Sequence, residues 1–151
     1  MSLPRHVAGT IGGKTYGVAP GARLWAVKAS FEMRMLCLYT LFTSTHRRLF
    51  HCFGFQVCGC TGGCPLSAIM AGMEWAIVTA QASPDEKWVG NMSLGGGAND
   101  MLDESVQEAI NAGIIIVVAA GNDSKDACEN SPAVSMMKVE LVYCVLWHSL
   151  T

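Results

Sequence analysis

At 151 residues the chain has the length of one domain, a size at which about two-thirds of the unfolded surface can be buried. Ten Lys plus Arg against twelve Asp plus Glu leave a formal net charge of -2, which speaks against nucleic acid or an anionic membrane as a partner. No membrane span is read either: the only apolar run with basic flanks, Met35 to Phe42 between Arg34 and Arg47-Arg48, falls far short of the roughly 20 residues a spanning helix needs.

The N-terminal "MSLPRHVAG" has no apolar stretch behind its one arginine and does not read as a secretory signal. His6 to Lys28 holds a small-residue helical turn, a glycine-rich loop "GGKTYGVAPGA", and "RLWAVK", whose alternation predicts a short strand. From Ala29 to about Cys64 the pattern is lost. Five of the seven cysteines (Cys37, Cys52, Cys58, Cys60 and Cys64) crowd there with His46, His51 and several aromatics, and neither a period of 2 nor one of 3.6 residues assigns an element.

Order resumes at Leu66. Ile69, Met73, Ala76, Ile77 and Ala80 make one apolar stripe of a helix. "KWVGNMSL" reads as a strand, "GGGAND" as a loop, and a helix follows from about Met101, with Leu102, Val106, Ala109 and Ile110 on one face. Asn99 or Asp100 is its N-cap and Gly113 its stop. "IIIVVAA" is a β-branched run of the kind buried on both faces of a parallel sheet.

Strand, helix, strand makes a βαβ unit, so the turns leaving the carboxyl ends of its two strands emerge on one edge of the sheet, where open α/β sheets bind ligands. "SLGGG" offers backbone N–H and C=O groups free of side chains, and "AAGN" offers the Asn122 amide as a donor. A phosphate loop is a weaker reading of "LGGGAND", because Asp100, Asp103 and Glu104 crowd the helix N-terminus where a phosphate would sit, and neither GxGxxG nor Gly-Lys-Ser/Thr occurs.

"HVAGTIGG", "YGVAPGARLWAVK", "IMAGMEWA", "NMSLGGG" and "IIIVVAAGNDSKDACENSPA" resemble, in that order, stretches of the subtilisin-like serine proteases of the proteinase K type. The resemblance covers residues 5–28 and 66–133 of a single partial peptidase domain, leaving 29–63 as an atypical insertion and 134–151 as an atypical tail. It implies an α/β fold, a parallel sheet with flanking helices, and an incomplete subtilisin-like architecture. It also implies a secreted parent and, as partner, an extended polypeptide substrate or an inhibitory pro-segment. No cofactor is expected; calcium is common in the family, but no ligands for it are identifiable in this sequence.

In that family a Gly-His-Gly-Thr-His-Val-Ala-Gly-Thr motif opens a helix with the catalytic base as its first histidine. His6 matches the second histidine, a helix residue of structural role, and the place of the base falls on Leu3. The family's aspartate would lie upstream, and its Gly-Thr-Ser-Met-Ala nucleophile motif does not occur; Ser135 in "AVSMMK" is read as an ordinary surface or tail serine. What the resemblance carries over is the substrate platform: Ser93, Leu94 and Gly95 pairing with an extended peptide as an added strand, Ala119, Ala120 and Gly121 walling the first specificity pocket, and Asn122 as the oxyanion-hole donor. With the triad absent, the chain as written is expected not to hydrolyse peptides.

Three readings of the 29–63 segment stand side by side. His46, His51, Cys52, Cys58, Cys60 and Cys64 include enough ligands for zinc but with poor spacing; seven cysteines leave disulfide connectivity open; the preferred reading is translated non-coding or frame-shifted sequence inside a protease gene. An incompletely covered parallel sheet would also leave the chain poorly soluble or partly molten.

Overall fold

A computed structural model describes residues 3–27, 50–55, 65–122 and 124–136. The chain opens with α1 (Leu3–Gly12) and β1 (Arg23–Val27), continues through β2 (Phe50–Phe55), α2 (Leu66–Gln81), β3 (Lys87–Met92), β4 (Gly96–Gly97), α3 (Asp100–Asn111) and β5 (Ile114–Val118), and ends in β6 (Asn130–Ser131) and α4 (Ala133–Met136). Four strands form a parallel sheet in the order β1-β2-β3-β5, while β4 and β6 make a small antiparallel pair. This is the expected α/β architecture. His6 lies within α1, as its small-residue pattern predicts.

The core follows from strand alternation. Trp88 and Met92 of β3 and Ile114, Ile116 and Val118 of β5 are buried, and the register Trp88↔Ile114, Gly90↔Ile116, Met92↔Val118 places them on one face. Against that face lie Ile69, Met73, Ala76 and Ala80 of α2 and Leu102, Val106 and Ala109 of α3, the two stripes that the helical period marks out. Small alanines let α2 and α3 pack close together, and the two methionines fill what remains; Met73 and Met92 are both 0 % exposed.

Local signals set the ends of α3. The Asn99 side chain accepts a hydrogen bond from Leu102 N at 3.0 Å, satisfying an orphan amide of the first turn, where Asp100 and Asp103 also complement the helix dipole. At the far end Gly113 has φ +88°, the left-handed turn that a residue with a Cβ resists.

Two features depart from the sequence reading. The segment without a recognisable pattern supplies β2, the strand that bridges β1 and β3 through Arg23↔His51 and His51↔Trp88. Within "FHCFGF" the neighbours His51 and Cys52 point to opposite faces and are both buried, so no alternation of polar and apolar residues marks this inner strand of a parallel sheet. Conversely, β5 is not buried on both faces: Ile115 is 61 % exposed, since among the described residues β5 is the last strand of the sheet and α2 and α3 pack on its other side.

An exposed β-branched edge strand is a template for intermolecular pairing. Ile115→Lys is expected to raise the soluble fraction several-fold without loss of helical circular dichroism. A pelleting assay against the parent chain checks it.

Of the residues considered for metal binding, His46, Cys58, Cys60 and Cys64 lie outside the described residues, as does Cys37. His51 and Cys52 are both buried but, as sequence neighbours on a strand, they point to opposite faces. Burial pushes the Cys52 thiol up to about 11, the state of an inert core cysteine rather than a reactive thiolate.

Candidate substrate-binding site

The β3–β5 pairing ends on Met92↔Val118, and Ala119 N donates to Met92 O at 3.2 Å one step beyond it. Ser93-Leu94-Gly95 and Ala119-Ala120-Gly121-Asn122 therefore leave adjacent parallel strands side by side, from the same edge. Ser93, Gly95, Ala119, Gly121 and Asn122 are exposed, and Ala120 is half-buried. Leu94 is partly buried and packs on the core, anchoring the first turn from below.

Each turn has its own local support. Asn91 Nδ2 donates to Ser93 Oγ at 3.0 Å, pinning the start of the first turn to β3. Gly121 takes φ +100°, which turns the chain sharply after Ala120 and which L side chains rarely adopt. After Asn122 the chain returns through a short 3-10 turn, Ala127–Glu129, capped by Asp126, which accepts from Cys128 N at 2.9 Å. That backbone N–H holds the exposed Asp126 carboxyl below the usual carboxylate range.

The returning segment closes on the glycine run: Gly96 pairs with Ser131 and Gly97 with Asn130. A Cβ on Gly95 would stand 3.5 Å from Ser131 O, and one on Gly121 would stand 4.0 Å from the Asn130 amide nitrogen, so Asn130 and Ser131 border both turns. The sequence reading missed these two residues. "NSPA" is part of the resemblance, but no spacing rule brings Ser131 back to a glycine 35 positions earlier.

Ser135 needs correction. It is 2 % exposed, neither a surface nor a loose tail serine, and its hydroxyl donates to Asp103 Oδ1 at 2.6 Å. That bond with α3 draws α4 into the fold. The side chains of Leu3 and His6 lie outside the described residues.

Among the described residues no three His, Cys, Asp or Glu side chains gather where they could hold a metal ion. No described helix is long and apolar enough to cross a membrane.

The sheet and its paired turns define an α/β domain in which both turns leave the carboxyl ends of β3 and β5 on one edge, the side on which open α/β sheets commonly bind ligands. Residues 5–140 match the Subtilase family, and the chain belongs to that family. It is 42 % identical over 128 residues to an extracellular serine proteinase of Thermus sp. (strain Rt41A), covering 85 % of this chain and 23 % of that protein. It is 38 % identical over 128 residues to alkaline serine exoprotease A of Vibrio alginolyticus, covering 85 % of this chain and 18 % of the relative. Among solved structures, a cold adapted subtilisin-like serine proteinase superposes with a TM-score of 0.56 at 32 % identity, over 86 % of this chain and 36 % of that one. The chain thus spans about a quarter or less of the length of these curated relatives.

Proposed function

We propose that this chain is the substrate-holding part of a subtilisin-like serine endopeptidase, binding an extended polypeptide between its two turns without cleaving it. In this reading Ser93, Leu94 and Gly95 pair with the peptide backbone as an added strand. Ala119, Ala120 and Gly121 leave room for an apolar side chain, and Asn122 presents its amide to a carbonyl oxygen. The observation that carries the reading is the Met92↔Val118 register, which sends both turns off one edge.

Hydrolysis needs a nucleophile and a base. The family's base position falls on Leu3, the nucleophile motif is missing from the sequence, and Ser135 is sequestered by Asp103. The bound partner is a polypeptide, either a substrate or an inhibitory pro-segment, and the parent protein is secreted.

The test combines binding and turnover. The chain is expected to bind an extended apolar peptide by fluorescence anisotropy and to release no chromophore from a chromogenic peptide substrate. A Cβ at Gly95 meets only ordinary van der Waals contact within the fold, so Gly95→Ala and Gly95→Val are expected to fold while weakening the peptide about threefold and about tenfold or more. Turnover abolished by a serine-directed inhibitor would overturn the non-hydrolytic reading. Binding that Gly95→Val leaves unchanged would overturn the platform.

A further inference from the structure

We infer that Asp103 is a positioning residue for this peptide platform: its one carboxylate latches two buried serine hydroxyls and, through one of them, holds the glycine run in place. The inference rests on the peptide-binding reading of the two turns.

The latch is a closed set of hydrogen bonds. Ser131 Oγ donates to Asp103 Oδ2 at 2.9 Å, and Ser135 Oγ donates to Asp103 Oδ1 at 2.6 Å. Ser131 Oγ in turn accepts from Asn99 N at 2.8 Å. The serines are 1 % and 2 % exposed, so losing the carboxylate takes from the buried Ser135 hydroxyl its acceptor and leaves that of Ser131 only the longer 3.4 Å contact to Asn99 O. A carboxylate suits this position because it is acceptor-only and has two oxygens, one for each hydroxyl.

Ser131 connects the latch to the site. Its backbone pairs with Gly96, and its carbonyl oxygen lies 3.5 Å from the position a Cβ would take on Gly95. Gly95, Gly96 and Gly97 are all exposed and have no side chains with which to fix themselves. A run of three glycines has the greatest backbone freedom of any sequence, and a peptide that had to order it would bind more weakly for that reason. Asp103, fixed in the first turn of α3 by the Asn99 cap, supplies that order before the peptide arrives.

The experiment measures amide hydrogen exchange and peptide affinity in the full chain and in Asp103→Ala, Asp103→Asn, Ser131→Ala and Ser135→Ala. Asp103→Ala is expected to speed exchange at Gly96 and Gly97 about tenfold or more while β3 and β5 keep their protection, and to weaken the peptide about tenfold. Asp103→Asn, with one acceptor oxygen left, is expected to recover part of both losses. Ser131→Ala should reproduce the local loosening and Ser135→Ala should not, since only Ser131 reaches the glycines.

Exchange rising in equal proportion throughout β3, β5 and the glycine run would reduce Asp103 to a general stabiliser and overturn the inference. So would unchanged exchange at Gly96 and Gly97, or equal effects of the two serine variants. Failure of the parent chain to bind any peptide would instead sink the platform reading, and the exchange comparison would still decide the latch.

Discussion

Lowering the pH from about 7.5 to about 5 is expected to destabilise this chain through one buried imidazole, His51. The ring is 1 % exposed, on a strand inside the sheet. Its Nδ1 accepts a hydrogen bond from Trp25 Nε1 at 3.0 Å, its face lies 4.3 Å from the Trp88 ring, and its Nε2 stands 3.0 Å from Glu86 Oε2 but off hydrogen-bond geometry. Accepting from Trp25 requires Nδ1 to be unprotonated, so charging the ring sets two N–H groups against each other.

Burial lowers the His51 pKa below its ordinary 6.5; the Glu86 carboxylate pulls the other way and the Arg23 guanidinium adds to the lowering. A folded-state pKa below the unfolded value means that the unfolded chain binds the proton more tightly. Stability from this group is therefore complete above pH 6.5 and is lost as the pH falls from there through the folded-state value. The readout is tryptophan emission, because Trp25 contacts His51, Trp75 and Trp88 together. In His51→Gln the midpoint of urea unfolding is expected to lose its dependence on pH across this window. A His51→Gln variant as acid-sensitive as the parent would show that other groups carry the effect.

The second large effect is expected from Met92→Ala. Met92 is 0 % exposed and sits where β3 ends, in register with Val118, with α2 and α3 closing over it as part of the same core. Truncating a fully buried methionine costs about 2–5 kcal/mol, from lost transfer energy plus the cavity left behind. That is a large share of the 5–15 kcal/mol typical of a domain. Measured by urea unfolding in the Ile115→Lys background to limit aggregation, the midpoint is expected to fall by about 1 M or more. Met92→Leu, which keeps the volume, should lose far less. Because Met92 O also accepts from Ala119 N, the same cavity should loosen both turns and weaken peptide binding in step with stability.

Where each element could be read from sequence follows from the range of the forces behind it. The stripe from Ile69 to Ala80, the Asn99 cap and the Gly113 stop are settled by contacts within a few residues, and the structure keeps all three. The βαβ order put the ends of β3 and β5 on one edge for the same reason: a helix crossover leaves parallel strands no other arrangement. By contrast, nothing within "FHCFGF" announces that His51 will lie between Trp25, Trp88 and Glu86, since those partners come from β1, β3 and the turn before β3. Ser135 was misread because a serine near the end of a pattern looks solvated until an aspartate 32 positions earlier is brought to it.

By itself, the sequence determined the helices α2 and α3, the strands β3 and β5, the two turns that leave them and the family to which they belong, because periodicity, capping and glycine conformations act over one or two turns of chain. Only the tertiary structure decided that β2 enters the sheet, that one face of β5 stays exposed, and that Asp103 holds Ser131 and Ser135. Those outcomes depend on which distant segments close around one another, and burial rewards that closure without leaving any local pattern to read.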